Sequence, residues 1–416
     1  MTHSKMKRWP HLNRTRHLLL CMAAFCITAA KSDPCHAQSQ VSPSGIQLAS
    51  DRVQKDAGDT IANPGPFATD LSPAISQTEI RRAMRKVADW QVATSEKKYN
   101  QDWTYAPLYL GLLATSATTG DPRYRDSVLH ASEQFQWRLW DYRPFHADDE
   151  AIGQAYEILY SDHPDPVRIA DVRATFDRLL ERHDDPAQDL WWWCDALFMA
   201  PPALAKLSAL TGDHRYIDKM NAEWRLTTEH LYDPSERLYS RDASYLHKTE
   251  KNGKKIFWSR GNGWALAGTV NVLRALPRND PSRQTYLRIF SDISERIAGL
   301  QQSDGLWKAG LLDQSSYNSS EISGSAFFTY ALAWGINERL LDRSKYGPVV
   351  ERSWRAMLQH IYADGRLGSI QPIGAAPDAF SPSSSYVYGV GAFLLAGSEL
   401  DRYAAQGIPS YRVKLR

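Results

Sequence analysis

Three short stretches concentrate residues whose types can do chemistry together. The first is Trp191-Trp192-Trp193-Cys194-Asp195-Ala196-Leu197-Phe198-Met199, where an acid follows three consecutive tryptophans. Successive residues point in different directions on any regular element, so three indoles in a row cannot all face one core. At least one must border a cavity or solvent. Asp195 opens a predicted helix, where the positive end of the dipole favours a carboxylate. The plain alternative is an N-cap beside a packed aromatic cluster. The second stretch, His146-Ala147-Asp148-Asp149-Glu150, puts three adjacent acids at another helix start. They either cap that helix on a solvated face or, if it leads into a mouth, set Asp148 or Asp149 opposite Asp195. Two carboxylates brought together repel, one pKa rises, and the protonated member can act as a general acid at neutral pH. The third is Phe257-Trp258-Ser259-Arg260-Gly261-Asn262-Gly263-Trp264. Its glycines let backbone approach a ligand, its indoles offer flat faces to a sugar ring, and Arg260 can make a paired hydrogen bond to a carboxylate. The alternative is a Gly-rich helix start with core tryptophans and an arginine paired to a neighbouring acid. Trp103, Tyr105 and Tyr109 either extend the aromatic surface or pack in the core.

Helices must position these residues. From Ile75 onward apolar residues recur at helical spacing and long strands are absent. The pattern predicts helices over 77–93, 105–118, 122–140, 148–161, 166–183, 195–210, 214–231, 260–276, 282–302, 320–339, 346–361 and 385–402, bounded by Gly, Pro, Asp or Asn. Thr119-Gly120-Asp121-Pro122-Arg123-Tyr124 and Thr211-Gly212-Asp213-His214-Arg215-Tyr216 repeat one turn, with Gly where a helix stops and Asp where the next is capped. A repeated αα-hairpin follows. Acidic turns with short extended runs at 233–240, 303–311 and 363–370 read as small β-hairpins at one end. The expected fold is all-α, an (α/α)6 barrel of six hairpins; an open solenoid of hairpins has the same periodicity.

The chain of 416 residues has a net charge of +2, which excludes a nucleic-acid partner recruited by bulk charge. Residues 1–37 read as a signal peptide: a basic leader, an apolar run from Leu18 to Ala30, and a cleavage site after Ala37. The mature chain is therefore expected to be exported, periplasmic or extracellular, without a membrane anchor. Residues 38–75, rich in Ser, Gln, Asp, Pro and Gly, read as a linker or loosely ordered segment, and 76–416 as the catalytic domain. Cys21, Cys26 and Cys35 fall in the leader, so Cys194 alone remains and no internal disulfide is expected. No metal-binding motif, phosphate loop or Gly-x-Ser-x-Gly elbow occurs. An inverting glycosidase acting at the anomeric carbon, or a non-catalytic periplasmic carbohydrate-binding protein, would use the same aromatic and acidic residues.

Taken together, WWWCDALFMAPP, the DD-x-AIGQ-Y run and FWSRGNGW resemble the unsaturated rhamnogalacturonyl hydrolases of glycoside hydrolase family 105, relatives of the unsaturated glucuronyl hydrolases of family 88. The resemblance spans roughly residues 75 to 402. It implies an (α/α)6 barrel that hydrates the C4=C5 double bond left on a terminal uronic acid by a lyase, with no metal or organic cofactor. The implied partner is an unsaturated acidic oligosaccharide. By motif, Asp195 resembles the general acid/base and Asp148 the second essential aspartate, with Asp149 the alternate if the register slips. Trp193 completes the Trp-x-Asp signature, and Met199, Trp258, Arg260 and Trp264 match positions lining the unsaturated sugar's subsite. Arg260 is the implied carboxylate ligand, unless a loop donor takes that role. One departure stands out. Some members carry a histidine shortly after a Leu-Tyr pair, where this chain reads Leu238-Tyr239-Ser240-Arg241-Asp242, with His247 downstream. That departure leaves glucuronyl-bearing substrates open beside galacturonyl ones.

Overall fold

A computed structural model describes residues 56–406, apart from 141, 184, 186–188 and 318. They fall in one of the two compact units of the chain, Leu48–Arg416. The expected leader and its cleavage site lie outside the described residues, as do 407–416. Among the described residues, no helix is long and apolar enough to cross a membrane.

The helices alternate between two layers. In chain order they are α1 (Gln77–Ser95), α2 (Ala106–Thr119), α3 (Pro122–Gln134), the single turn α4 (Ala147–Glu150), α5 (Gly153–Asp162) and α6 (Val167–Glu181). Then come the single turn α7 (Ala196–Met199), α8 (Pro201–Thr211), α9 (Arg215–Leu231), α10 (Ser259–Ala275), α11 (Arg283–Ala298), α12 (Ile322–Asn337), α13 (Arg343–Leu358) and α14 (Val387–Gln406). Contacts run from α2 to α5, α8, α10, α12 and α14, and from α14 back to α2, so the inner layer closes on itself. Closure excludes the open solenoid. Every residue of α12 is buried, as befits a helix enclosed on all sides. Outer α1 buries only a stripe, Ile80, Ala83, Met84, Val87, Ala88, Gln91 and Ser95, at the spacing of one helical face. At the α2–α14 crossing, a Cβ on Gly391 would stand 2.2 Å from the Pro107 carbonyl oxygen, so only glycine permits that approach.

Each hairpin goes out along an outer helix and returns along an inner one, which puts the starts of all six inner helices at the same end. The connections there are long, spanning 96–105, 135–152, 182–200, 232–258, 299–321 and 359–386. At the opposite end they are short turns. Gly120 and Gly212 sit there at φ 73° and 76°, the left-handed conformation that stops a helix, and each is followed by an aspartate whose carboxylate accepts from the backbone two residues on. The repeat seen in the sequence is thus a repeated structure.

Several boundaries differ from expectation for local reasons. The 122–140 helix ends at Gln134 because Gln136 and Trp137 adopt positive φ. The 148–161 helix divides into α4 and α5, and the 195–210 helix into α7 and α8, where Pro201 has no N–H to continue the ladder. Of the expected hairpins, Tyr232–Asp233 (β2) pairs with Leu238–Tyr239 (β3), and Ile361 bridges Leu367. The 303–311 run instead pairs outward, Gly310 with Trp258 and Lys308 with Ser320. The segment expected to be a linker packs against the barrel from residue 56: Gly58–Thr60 (β1) pairs with Ser384–Tyr386 (β4), and Phe67 bridges Tyr362. The catalytic unit therefore begins upstream of residue 76.

Candidate active site

The acids gather at the end of the barrel that carries the long loops. Asp195 stands just before α7, and its side chain makes no capping hydrogen bond. It is 8% exposed, with Oδ2 at 3.7 Å from Arg241 Nε and Oδ1 at 3.5 Å from the Cys194 thiol. The N-cap alternative is excluded by this geometry. Burial raises the Asp195 carboxyl above its ordinary value, opposed by the charges of Arg241 and Arg260. Gly261, in the first turn of α10, is the reason that turn can come so near: a Cβ there would lie 3.1 Å from Cys194 Sγ and 3.5 Å from Asp195 Oδ1.

Helix α4 packs against α7 and delivers the second acid. The two adjacent aspartates are treated differently. Asp149 is committed to Arg143, accepting from its backbone N–H at 2.7 Å and from its guanidinium through Nε and Nη2. Asp148 is left with looser neighbours, Arg143 Nη1 at 3.6 Å and His146 Nδ1 at 3.7 Å. Burial pushes the Asp148 carboxyl up to about 8; Arg143 opposes the rise, while Asp102, Asp149 and Asp195 reinforce it. His146 caps α4 by accepting from the Asp148 N–H, and its ring lies against Trp193 with centroids 4.6 Å apart. Burial, with Arg143 nearby, lowers its pKa to about 3, so the imidazole is neutral. The ring thus sits between Trp193 and Asp148.

The tryptophan triplet divides as the direction argument requires. Trp191 and Trp193 are buried, whereas Trp192 is 48% exposed and carries the Arg241 guanidinium 5.4 Å above its ring. Cys194 is a buried thiol whose pKa burial pushes well up, a structural rather than a reactive one.

The FWSRGNGW stretch forms the other wall, and its residues turn inward. Arg260 is fully buried, donating through Nη1 to the Gln371 carbonyl at 2.7 Å and through Nη2 to that of Pro372 at 2.8 Å. Its guanidinium lies between the rings of Trp258 and Tyr388, 4.3 and 4.8 Å from their centroids. It pins the loop after residue 370 to the barrel. Trp258 donates its indole N–H to Gln371 Oε1, and Trp264 packs among Phe198, Phe327 and Trp103. Met199 is buried, and its carbonyl accepts from Gln154. Trp103 is part-buried and stacked on Tyr388, while Tyr105 and Tyr109 are core residues.

The structure thus brings Asp148, Asp149, Trp193 and Asp195 together and sets Met199, Trp258, Arg260 and Trp264 behind them as support. Sequence reading missed Arg143, the partner of both acids, and Asp102, which joins the acidic cluster while accepting from Thr104. It also missed Gln371 and the role of Arg241. The signal for Arg241 was in view, since it sits where the resemblance breaks down after Leu238-Tyr239. For Gln371 no motif existed.

A closed six-hairpin barrel with an aromatic-flanked acid pair at its mouth defines a six-hairpin glycosidase. The Glycosyl Hydrolase Family 88 model matches residues 75–404. The chain belongs to that family and is a glycoside hydrolase. It is 39% identical over 345 residues to the "Unsaturated 3S-rhamnoglycuronyl hydrolase" of Formosa agariphila, covering 78% of this chain and 91% of that protein. A solved family 88 glycosyl hydrolase from Bacteroides vulgatus superposes with a TM-score of 0.75 at 32% identity, covering 79% of this chain and 99% of that one. A family 105 glycoside hydrolase from C. acetobutylicum shares the fold, with a TM-score of 0.66 at 19% identity over 76% of this chain and 99% of that one.

Proposed function

We propose that this enzyme removes a 4,5-unsaturated uronic acid from the non-reducing end of lyase-generated oligosaccharides, by hydrating the ring double bond. The observation that carries the reading is the pair Asp148 and Asp195, both with raised pKa in one buried corner, with Arg241 beside Asp195. Burial favours the protonated form of both carboxyls, and Asp148, raised to about 8, keeps its proton at neutral pH. Asp195 in its acid form gives its proton to C4, and the carboxylate so formed takes a proton from the water that adds at C5. The C5 hemiketal opens by breaking its bond to the ring oxygen, and C1 then releases the remaining saccharide. Asp148, being neutral, sets no second negative charge against the Asp195 carboxylate formed on the way. With Arg260 occupied by two carbonyls, Arg241 is the donor we assign to the substrate's carboxylate, half over the exposed face of Trp192.

The 39%-identical relative is named as an unsaturated 3S-rhamnoglycuronyl hydrolase. We infer the same substrate class, with glucuronyl preferred, because Ser240 and Arg241 follow the Leu-Tyr pair where some family 105 members have a histidine. The test is decay of the conjugated double bond's ultraviolet absorbance, with product mass, over unsaturated rhamnogalacturonan, other glucuronyl and rhamnose-linked glucuronyl fragments. Decay fastest on the last is expected. Unchanged absorbance on all of them, or release of saturated sugars from intact polymer, would overturn the reading. We place the activity outside the cytoplasm on the strength of the leader; N-terminal sequencing of the secreted protein should begin at Gln38.

A further inference from the structure

The connection from Arg241 to Trp258 leaves the mouth by one wall and returns by the other. At its start the Cys194 N–H donates to the Arg241 carbonyl at 2.8 Å, and Asp242 bridges Trp193. At its end Trp258 bridges Gly310 in the aromatic wall. Between them the chain reads His247-Lys248-Thr249-Glu250-Lys251-Asn252-Gly253-Lys254-Lys255. Thr249 bridges Lys255, the Glu250 N–H donates to the Lys254 carbonyl at 2.7 Å, and Gly253 turns at φ 80°, a conformation that favours glycine. The result is a tight hairpin at the rim. It sets four lysines against one glutamate, whereas the whole chain carries a net charge of only +2.

The hairpin turns its acid inward and its bases outward. Tyr317 donates to Glu250 Oε2 at 2.7 Å, and Glu250 Oε1 is buried beside Gly310, where a Cβ would stand 2.8 Å from it. Asn252 fastens the turn: its N–H donates to Asp313 Oδ2 at 3.2 Å and its side-chain amide to the Leu312 carbonyl at 2.9 Å. Two lysines have partners of their own. Lys255 pairs with Asp233 at 2.6 Å, and Lys248 lies over the Tyr245 ring, 4.2 Å from its centroid. Lys251 and Lys254 are exposed, and their ammonium groups have no ion pair among the described residues. Neither side chain helps to hold the hairpin together, and like charges crowded on one turn repel each other at a cost in stability. A turn clamped in this way presents its charge at a fixed place, so little ordering remains to be done when an anion binds. An acidic oligosaccharide carries a carboxylate on each repeat, so whatever extends beyond the leaving sugar brings further negative charge to the rim.

We propose that the hairpin at 247–255 is a docking surface for the uronate residues that lie beyond the leaving sugar, with Lys251 and Lys254 as its anion ligands; the identity of that ligand rests on the reaction proposed for the mouth. The test follows absorbance decay on unsaturated glucuronyl di-, tetra- and hexasaccharides, beside mobility in native gels cast with saturated polyglucuronate or with neutral dextran. For the native enzyme kcat/KM should rise with length, and the rise should vanish at high salt. In the double variant Lys251→Gln, Lys254→Gln, the disaccharide, too short to reach the hairpin, should keep its native kcat and KM. The KM for the hexasaccharide should rise about fivefold, as for the loss of two exposed charge pairs. Lys251→Arg, Lys254→Arg, which keeps both charges, should restore it. Polyglucuronate should retard the native chain, dextran should not, and the Gln variant should run free in both. Absence of decay on every fragment would overturn the reading of the mouth, and the gels would still decide the hairpin. The docking surface is refuted if kcat/KM does not depend on length, if the Gln variant keeps the native length dependence or retardation, or if phosphatidylglycerol vesicles are bound more tightly than polyglucuronate.

Discussion

The two ends of this barrel both hold buried carboxyls with raised pKa, yet their neighbours differ. At the mouth, Asp148 and Asp195 come from different hairpins, feel each other's charge, and lie beside two arginines and an exposed indole. At the far end Glu157 is buried with no hydrogen-bond partner for its carboxyl, and the charge of Lys206 acts on it. Burial by itself raises a pKa; coupling to a second acid and to a cation makes the shifted group useful. The difference follows from loop length. Long connections bring Arg143, Asp148, Asp195 and Arg241 to the starts of the inner helices, whereas the short turns opposite supply little besides the ends of the helices themselves.

Substitutions at the two ends test that contrast. Asp195→Asn should have the largest effect, a loss of turnover of about a thousandfold or more, because shape is kept and proton transfer is lost. Substrate binding measured by calorimetry should persist; retained turnover would move the acid elsewhere. Asp148→Asn is expected to lower kcat by about a hundredfold. The native rate should also fall as pH rises through about 8, where Asp148 gives up its proton. The linked stability has a definite sign. The folded Asp148 carboxyl binds its proton more tightly than the unfolded one, whose value is 3.8, so its contribution is whole below that value and is lost as pH rises to about 8. The Tm of Asp148→Asn relative to native should therefore climb across that range, and a flat difference would contradict the burial argument.

Arg241→Ala should raise KM about tenfold with a smaller change in kcat, the pattern expected when a carboxylate ligand is removed. A collapse of kcat at constant KM would instead make Arg241 chiefly a partner of Asp195. The smallest effect belongs to Glu157→Leu, which should leave kcat and KM unchanged and the Tm equal or higher, since a buried carboxyl without partners is replaced by an apolar group. Lost turnover in that variant would erase the distinction between the two ends.

Much of the acid corner was legible before any coordinates. Asp195 and Asp148 stand where the motifs put them, and the impossibility of burying three consecutive indoles on one side predicted an exposed ring, which is Trp192. Arg260 was legible as a residue but not in its task. Its distance in sequence from Gln371 and Pro372 hid the two carbonyls that occupy it. The motif put Asp148 first with Asp149 as the alternate; that Arg143 folds back to take Asp149 and leaves Asp148 loosely held was closed to local reasoning.

The sequence by itself determined the helices, their stops and the repeated Gly-Asp turn, since helical period, capping and left-handed glycine act among residues a few positions apart. It also held the chemistry in residue type, two acids and flat rings. Tertiary structure alone decided that the hairpins close into a ring, which acid remains loosely held, which arginine faces the mouth, and that Glu157 is buried without a hydrogen-bond partner. Those outcomes depend on which distant segments share one low-dielectric space, and that is set by packing across the whole barrel.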